Sequence, residues 1–120
     1  MSYDPSNIFA RILRGDLPCK KIAEDKYTLA FEDINPQAPV HILVIPKGSY
    51  VDWSDFSCNA SDVEQSAFMK MIGYVASLAG ITDSGYRVIS NSGNHGHQEV
   101  PHLHMHVLGG AAIGPMVSRR

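Results

Sequence analysis

The chain has 120 residues, of which 44% are hydrophobic and 18% charged, and its formal net charge is -2 with neutral histidines. This length fits one domain over residues 1–120, and the composition argues against disorder and against a membrane protein. The only adjacent basic residues are two pairs, at 20–21 and 119–120. We therefore expect no nucleic acid partner.

The first helix is predicted to be short. Ser6 is a candidate N-cap, Phe9, Ile12 and Leu13 follow at helical spacing, and Gly15 ends the helix. Three strands are predicted after it, at residues 20–24, 27–32 and 40–45. The prolines between residues 35 and 39 separate the last two, because proline cannot continue a central strand.

The second half of the chain predicts one long helix and two more strands. Ser61 and Glu64 form a capping-box pattern at the start of the helix, and Gly80 is a natural stop. Its predicted apolar stripe is Val63, Ala67, Met71, Val75 and Leu78. A strand at 86–90 and a Gly/Asn/His loop at 91–98 follow. Five strands that adjoin mostly without helices between them favour an α+β fold with an antiparallel sheet.

The location expected from the sequence is the cytoplasm. Cys19 and Cys58 are far apart in the chain, which is typical of free thiols in a reducing compartment. The N-terminal residues have neither the basic nor the apolar region of a signal peptide. The longest apolar run, at residues 40–46, is far shorter than the ~20 residues of a membrane span.

Residues 102–107 alternate histidines with apolar residues. Successive side chains of a strand point to opposite faces. The pattern therefore predicts a strand with His102, His104 and His106 on one face, and Leu103, Met105 and Val107 on the other. Imidazole titrates near neutral pH and can serve as acid, base or nucleophile, so we expect function here. His95 and His97, in the preceding loop, are expected to face solvent.

Three interpretations of this strand are open. It can be a solvated polar face, but three histidines in register beside a glycine-rich loop make that the weaker interpretation. It can be a zinc site, although the outer pair would lie roughly 13 Å apart at ~3.3 Å per residue. It can also perform phosphorus chemistry with a histidine nucleophile, whose other ring nitrogen needs a hydrogen-bond partner to fix the tautomer.

The pattern His102 to Leu108 resembles the histidine triad of the HIT superfamily, in which histidines and hydrophobic residues alternate. Further segments resemble its Hint branch, namely residues 8–12, 29–39, 41–47, 85–89 and the pair Gly109–Gly110. Glu99, where animal Hint proteins carry a serine, and the Gly-Pro-Met tail at residues 114–116 resemble bacterial members.

The resemblance implies an HIT-like fold whose sheet continues across a homodimer. It implies a hydrolase of purine nucleoside phosphoramidates that needs no metal or other cofactor. Its catalytic residues would be His104 as nucleophile, with His102 and His106 holding the phosphate and protonating the leaving amine, and His41 in support. The residues implied to bind the nucleotide are Asp33 at the ribose, Asn91 and Gln98 near the phosphate, and Phe9, Ile12, Leu17, Phe31, Ile34 and Leu43 around the base.

Two other functions are compatible with the same residues. One is a dinucleoside polyphosphate hydrolase or nucleotidyltransferase. The other is a nucleotide-binding regulatory module with little turnover.

Overall fold

The protein folds around one five-stranded antiparallel sheet, as a computed structural model of residues 2–118 shows. The elements in chain order are α1 (Ile8–Leu13), β1 (Lys21–Glu24), β2 (Thr28–Glu32), β3 (Val40–Pro46), α2 (Trp53–Asn59), α3 (Asp62–Leu78), β4 (Tyr86–Ser90) and β5 (Met105–Gly109). The strand order is β1-β2-β3-β5-β4, and every neighbouring pair is antiparallel. The predicted α+β fold is confirmed.

The helices differ from the prediction in two respects. Asn7, not Ser6, caps α1, because its side-chain oxygen accepts from the Ala10 N–H while the Ser6 hydroxyl donates to Asp4. The helix α2 was not predicted at all. It is capped by Asp52 and buries only Phe56, so its sequence carries no apolar stripe.

Helix α3 begins with the predicted capping box of Ser61 and Glu64. Its buried face differs from the predicted stripe, because the residues that face the sheet are Phe68, Met71, Val75 and Ala76. Val63 and Leu78 lie off that face and are 55% and 53% exposed. The prediction was wrong for these two positions.

The core has one cluster on each face of the sheet. On one face, α3 packs onto a cluster that includes Ala30, Ile42 and Val44 together with Leu103, Met105 and Val107. On the other face, Phe9 of α1 packs with Leu29, Phe31, Leu43 and Ile45. The alternation predicted for the apolar residues of the histidine segment is confirmed, since all three lie in the first cluster.

The predicted strand at residues 102–107 is shorter than expected. It begins at Met105, so His102 and His104 precede β5. The backbone there bonds outside the sheet: the Leu103 N–H donates to the Tyr50 carbonyl at 2.8 Å and the His102 N–H to the Val100 carbonyl at 2.9 Å. The loop after β3 therefore takes the place of a neighbouring strand.

Two smaller predictions can also be compared with the structure. Cys19 and Cys58 are free cysteines, as predicted, and both are exposed. Across residues 2–118, no helix combines the length and the apolar character that crossing a membrane requires.

Candidate active site

The hydrogen bonding of His104 fixes which ring nitrogen carries its proton. Its Nδ1 lies 2.8 Å from the carbonyl oxygen of His102. A carbonyl oxygen only accepts, so Nδ1 carries the hydrogen and Nε2 keeps its lone pair. The ring is buried and stands edge-on to Phe9 at a centroid distance of 4.9 Å. His104 therefore has the tautomer that a nucleophilic imidazole needs.

A second chain of hydrogen bonds reaches His106 through His41. The backbone N–H of Gln37 donates to His41 Nδ1 at 3.0 Å. Neutral His41 therefore carries its proton on Nε2, which lies 2.9 Å from His106 Nδ1 and 3.3 Å from Asp33 Oδ2. Because His106 Nδ1 accepts the His41 proton, the proton of neutral His106 is on Nε2.

Burial lowers the pKa of all four histidines of the site, which favours their neutral forms. Burial, followed by the charges of His104 and His41, lowers the pKa of His106 to about 4. Burial also lowers the pKa of His104. The pKa of His41 is lowered by burial as well, with Asp33 opposing the shift. Desolvation disfavours the charged form of imidazole, so the buried row provides neutral acceptors and donors rather than fixed cations.

His102 is fully buried and both its ring nitrogens are bonded within the protein. Nε2 lies 2.9 Å from the Pro46 carbonyl oxygen, and Nδ1 lies 2.6 Å from the Tyr3 hydroxyl. Burial lowers the pKa of His102 to about 4. With no ring nitrogen left to contact a ligand, the predicted phosphate-holding role of His102 has no support in the structure.

Of the apolar residues predicted around a nucleobase, Phe9 stands edge-on to His104. Phe9, Phe31 and Leu43 belong to one buried cluster, and Ile12 packs against it. Leu17 is half-buried. Ile34 differs from the rest, because it is 99% exposed. Val100 also packs on this cluster, although no periodic pattern in the sequence indicates it.

The loop after β4 contains the predicted phosphate-side residues. Asn91 is half-buried directly after β4. The side-chain amide of Gln98 is fully used, since its oxygen accepts from the Gly93 N–H and its nitrogen donates to the carbonyls of Val51 and Val100. Gln98 therefore ties the loop together, and its side chain has no free donor for a phosphate.

The two histidines of this loop and the glutamate that follows it are exposed. His95 is exposed, and exposed His97 pairs with exposed Glu99 at 3.2 Å. The prediction for the two loop histidines is confirmed. The Glu99 carboxylate contacts His97, and its charge also opposes the lowering of the His104 pKa by burial.

Asp33, His41 and His106 are close enough to hold a metal ion, with one ligand atom of each within 4.8 Å of the others. The proton positions do not fit this use. A metal would need the lone pair of His41 Nε2, which places the ring proton on Nδ1, opposite the donating N–H of Gln37. The three residues fit a hydrogen-bonded relay better than a metal site.

Comparison with known proteins assigns the family. The family model described as HIT domain matches residues 14–113. The chain belongs to the HIT family. An uncharacterised 13.2 kDa HIT-like protein of Azospirillum brasilense is 56% identical over 118 residues, covering 98% of this chain and 97% of that protein.

Two further relatives carry names that describe an activity. The purine nucleoside phosphoramidase of Escherichia coli K12 is 41% identical over 116 residues, 94% of each chain. The solved structure of an HIT family hydrolase from Clostridium thermocellum superposes with a TM-score of 0.85 at 38% identity, covering 94% of this chain and 97% of that one. The HIT-like fold expected from the sequence is confirmed.

Proposed function

We propose that the protein is a hydrolase that cleaves the phosphorus–nitrogen bond of purine nucleoside phosphoramidates through a nucleotidyl-His104 intermediate. The observation that carries the proposal is the bond from His104 Nδ1–H to the His102 carbonyl, which leaves a neutral Nε2 with a free lone pair. The phosphoramidase name of the Escherichia coli relative supports the substrate class.

In the first step, His104 Nε2 attacks the phosphorus atom and the phosphorus–nitrogen bond breaks. The leaving nitrogen takes the Nε2 proton of His106, which is replaced from solvent so that His106 stays neutral. The carbonyl of His102 stabilises the charge on the nucleotidylated ring through Nδ1–H. His41 holds the ring of His106 in this orientation by its hydrogen bond at 2.9 Å.

In the second step, water attacks phosphorus, the water's proton passes to solvent, and the bond to His104 breaks. The products are a nucleoside monophosphate and an amine, and both histidines return to their starting tautomers. The protons balance, because solvent supplies one in the first step and receives one in the second.

The nucleoside is proposed to lie on the α1 side of the sheet. The cluster of Phe9, Phe31 and Leu43 offers an apolar surface for a base next to His104. Asp33, which contacts His41 with one oxygen and the Asn35 N–H with the other, remains the proposed ribose ligand. Ile34 and Leu17 stay predicted contacts at the rim of this surface, and Asn91 a predicted contact near the phosphate.

A homodimer formed along β4 is part of this proposal. β4 is an edge strand of the sheet, and Tyr86 and Val88 on it are 39% and 40% exposed. An unpaired edge with apolar side chains is a ready surface for strand pairing with a second copy. Light scattering should give the mass of two chains, and the mass of one would contradict it. The exposed free cysteines favour a reducing compartment, so we propose the cytoplasm.

Substrate comparison in the presence of EDTA separates the candidate functions. We expect kcat/KM for an adenosine phosphoramidate to exceed that for a diadenosine polyphosphate, and His104→Ala to abolish turnover of both. His95→Ala, in the exposed loop, is the matched histidine control and should keep full activity. A preference for the polyphosphate, or tight binding of a purine monophosphate with no turnover, would favour one of the alternatives. Loss of activity with EDTA would point to a metal.

A further inference from the structure

Tyr3, which precedes every helix and strand, contacts the first histidine of the triad. Its hydroxyl lies 2.6 Å from His102 Nδ1, and the two rings meet edge-on at a centroid distance of 5.5 Å. The partners are 99 residues apart in the chain. None of the steps proposed above uses this contact.

The contact of the other ring nitrogen of His102 shows which group donates in the Tyr3–His102 hydrogen bond. Nε2 faces the Pro46 carbonyl at 2.9 Å, and that oxygen can only accept. The proton of neutral His102 is therefore on Nε2, which leaves Nδ1 as an acceptor. Tyr3 must donate. The ring is thus bonded at both of its nitrogens, one to β3 and one to the N-terminal segment.

The hydrogen bonds of the His102 ring also restrain the main chain of this residue. The carbonyl oxygen of the same residue accepts the Nδ1–H of His104, and its N–H donates to Val100. Hydrogen bonds at both ring nitrogens restrict where the His102 Cα can lie, and with it the carbonyl that accepts from His104. The Tyr3 hydroxyl, the His102 ring and the His104 imidazole thus form one continuous path.

The segment that carries Tyr3 is itself well anchored. The Asp4 carboxylate accepts from the Ser6 N–H at 2.9 Å, and the Asn7 side chain donates to the Asp4 carbonyl at 2.7 Å while capping α1. Arg14 donates to the Pro5 carbonyl at 2.6 Å. These bonds join Tyr3 to the start of α1, whose Phe9 packs against His104.

We propose that Tyr3 is a positioning residue, whose hydroxyl fixes the His102 ring and thereby orders the Nδ1–H bond that prepares His104. The ordering of His104 is a property of the protein without substrate. Its effect on rate rests on the proposed function, because it assumes that His104 is the nucleophile.

The first arm of the test needs no substrate. In Tyr3→Phe, which keeps the ring and removes the hydroxyl, the 15N resonance of His102 Nδ1 should move toward that of a nitrogen without a hydrogen bond. The Nδ1–H of His104 should exchange with water about tenfold faster, as expected for weakening by about one hydrogen bond. Tyr27→Phe is the matched control, since the Tyr27 hydroxyl makes no hydrogen bond within residues 2–118. Unchanged exchange at His104 in Tyr3→Phe would overturn the proposal.

The second arm measures hydrolysis of an adenosine phosphoramidate. We expect Tyr3→Phe to lower kcat about fivefold with KM unchanged, because the base surface is intact while the nucleophile is less ordered. Faster exchange with unchanged kcat would refute the contribution to rate. If the wild type hydrolyses no phosphoramidate, the proposed function fails, and the exchange arm still decides whether Tyr3 orders His104.

Discussion

Stability should fall steeply as the pH drops below 7, because His102 is buried as a neutral ring. Its pKa is about 4 in the folded chain against an ordinary value of 6.5. Between these values the unfolded chain binds a proton that the folded chain does not, so unfolding becomes easier as the pH falls. Above pH 7 both states are neutral at this residue and the contribution vanishes.

The size of the effect follows from the shift. The full difference in pKa corresponds to about 3 kcal/mol, of which about 2 kcal/mol has been lost on going from pH 7 to pH 5. His106, also with a pKa of about 4, acts in the same direction.

Urea unfolding of wild type and His102→Leu at pH 7, 6 and 5 measures this contribution. All samples have the same protein concentration, because self-association would add to the measured stability. The variant should be less stable at pH 7, since it leaves the Pro46 carbonyl and the Tyr3 hydroxyl unpaired, but the gap should narrow by about 2 kcal/mol at pH 5. His95→Asn controls for the loss of a histidine that is in contact with solvent in both states. Parallel profiles for wild type and His102→Leu would refute the argument.

Three further predictions follow from contacts outside the two hydrogen-bond chains. Gln98→Ala removes three hydrogen bonds to backbone groups, so the free energy of unfolding measured in urea should fall by about 1–3 kcal/mol. An unchanged free energy of unfolding would mean that other contacts order the loop. Phe9→Leu keeps an apolar side chain but loses the edge contact to His104. The KM for the phosphoramidate should rise severalfold, and the free energy of unfolding should fall by about 1 kcal/mol. An unchanged KM would mean that the base binds elsewhere. Arg87→Ala removes the hydrogen bonds to the carbonyls of Gly114 and Pro115, so amide hydrogen exchange over residues 112–118 should become faster. Equal exchange rates in wild type and variant would mean that other contacts order this segment.

The sequence predicted the fold where the pattern was periodic. The alternation at Leu103, Met105 and Val107 placed these side chains in the core because one face of the sheet lies under α3. The helix α2 escaped prediction, since only Phe56 of it is buried. The late start of β5 at Met105 was also unpredictable, because the Leu103 N–H donates to the Tyr50 carbonyl, which belongs to a distant loop.

The candidate site was predictable in its residue types and less so in their roles. The histidine pattern located His104 and His106, and the resemblance supplied His41 and Asp33, all of which the structure brings together. The roles of His102 and Gln98 depend on distant partners, Tyr3 and Val51, that local sequence does not reveal.

The most direct test of the proposed mechanism is the mass of the protein during a single turnover. Enzyme in excess over an adenosine phosphoramidate, with EDTA present, is stopped within one turnover by alkaline denaturant, because histidine–phosphorus bonds are labile in acid. The proposal predicts wild-type protein heavier by one adenylyl group, located on His104 by fragmentation, and no added mass in His104→Ala. Complete hydrolysis by the wild type with no adduct, or an adduct on another residue, would contradict it.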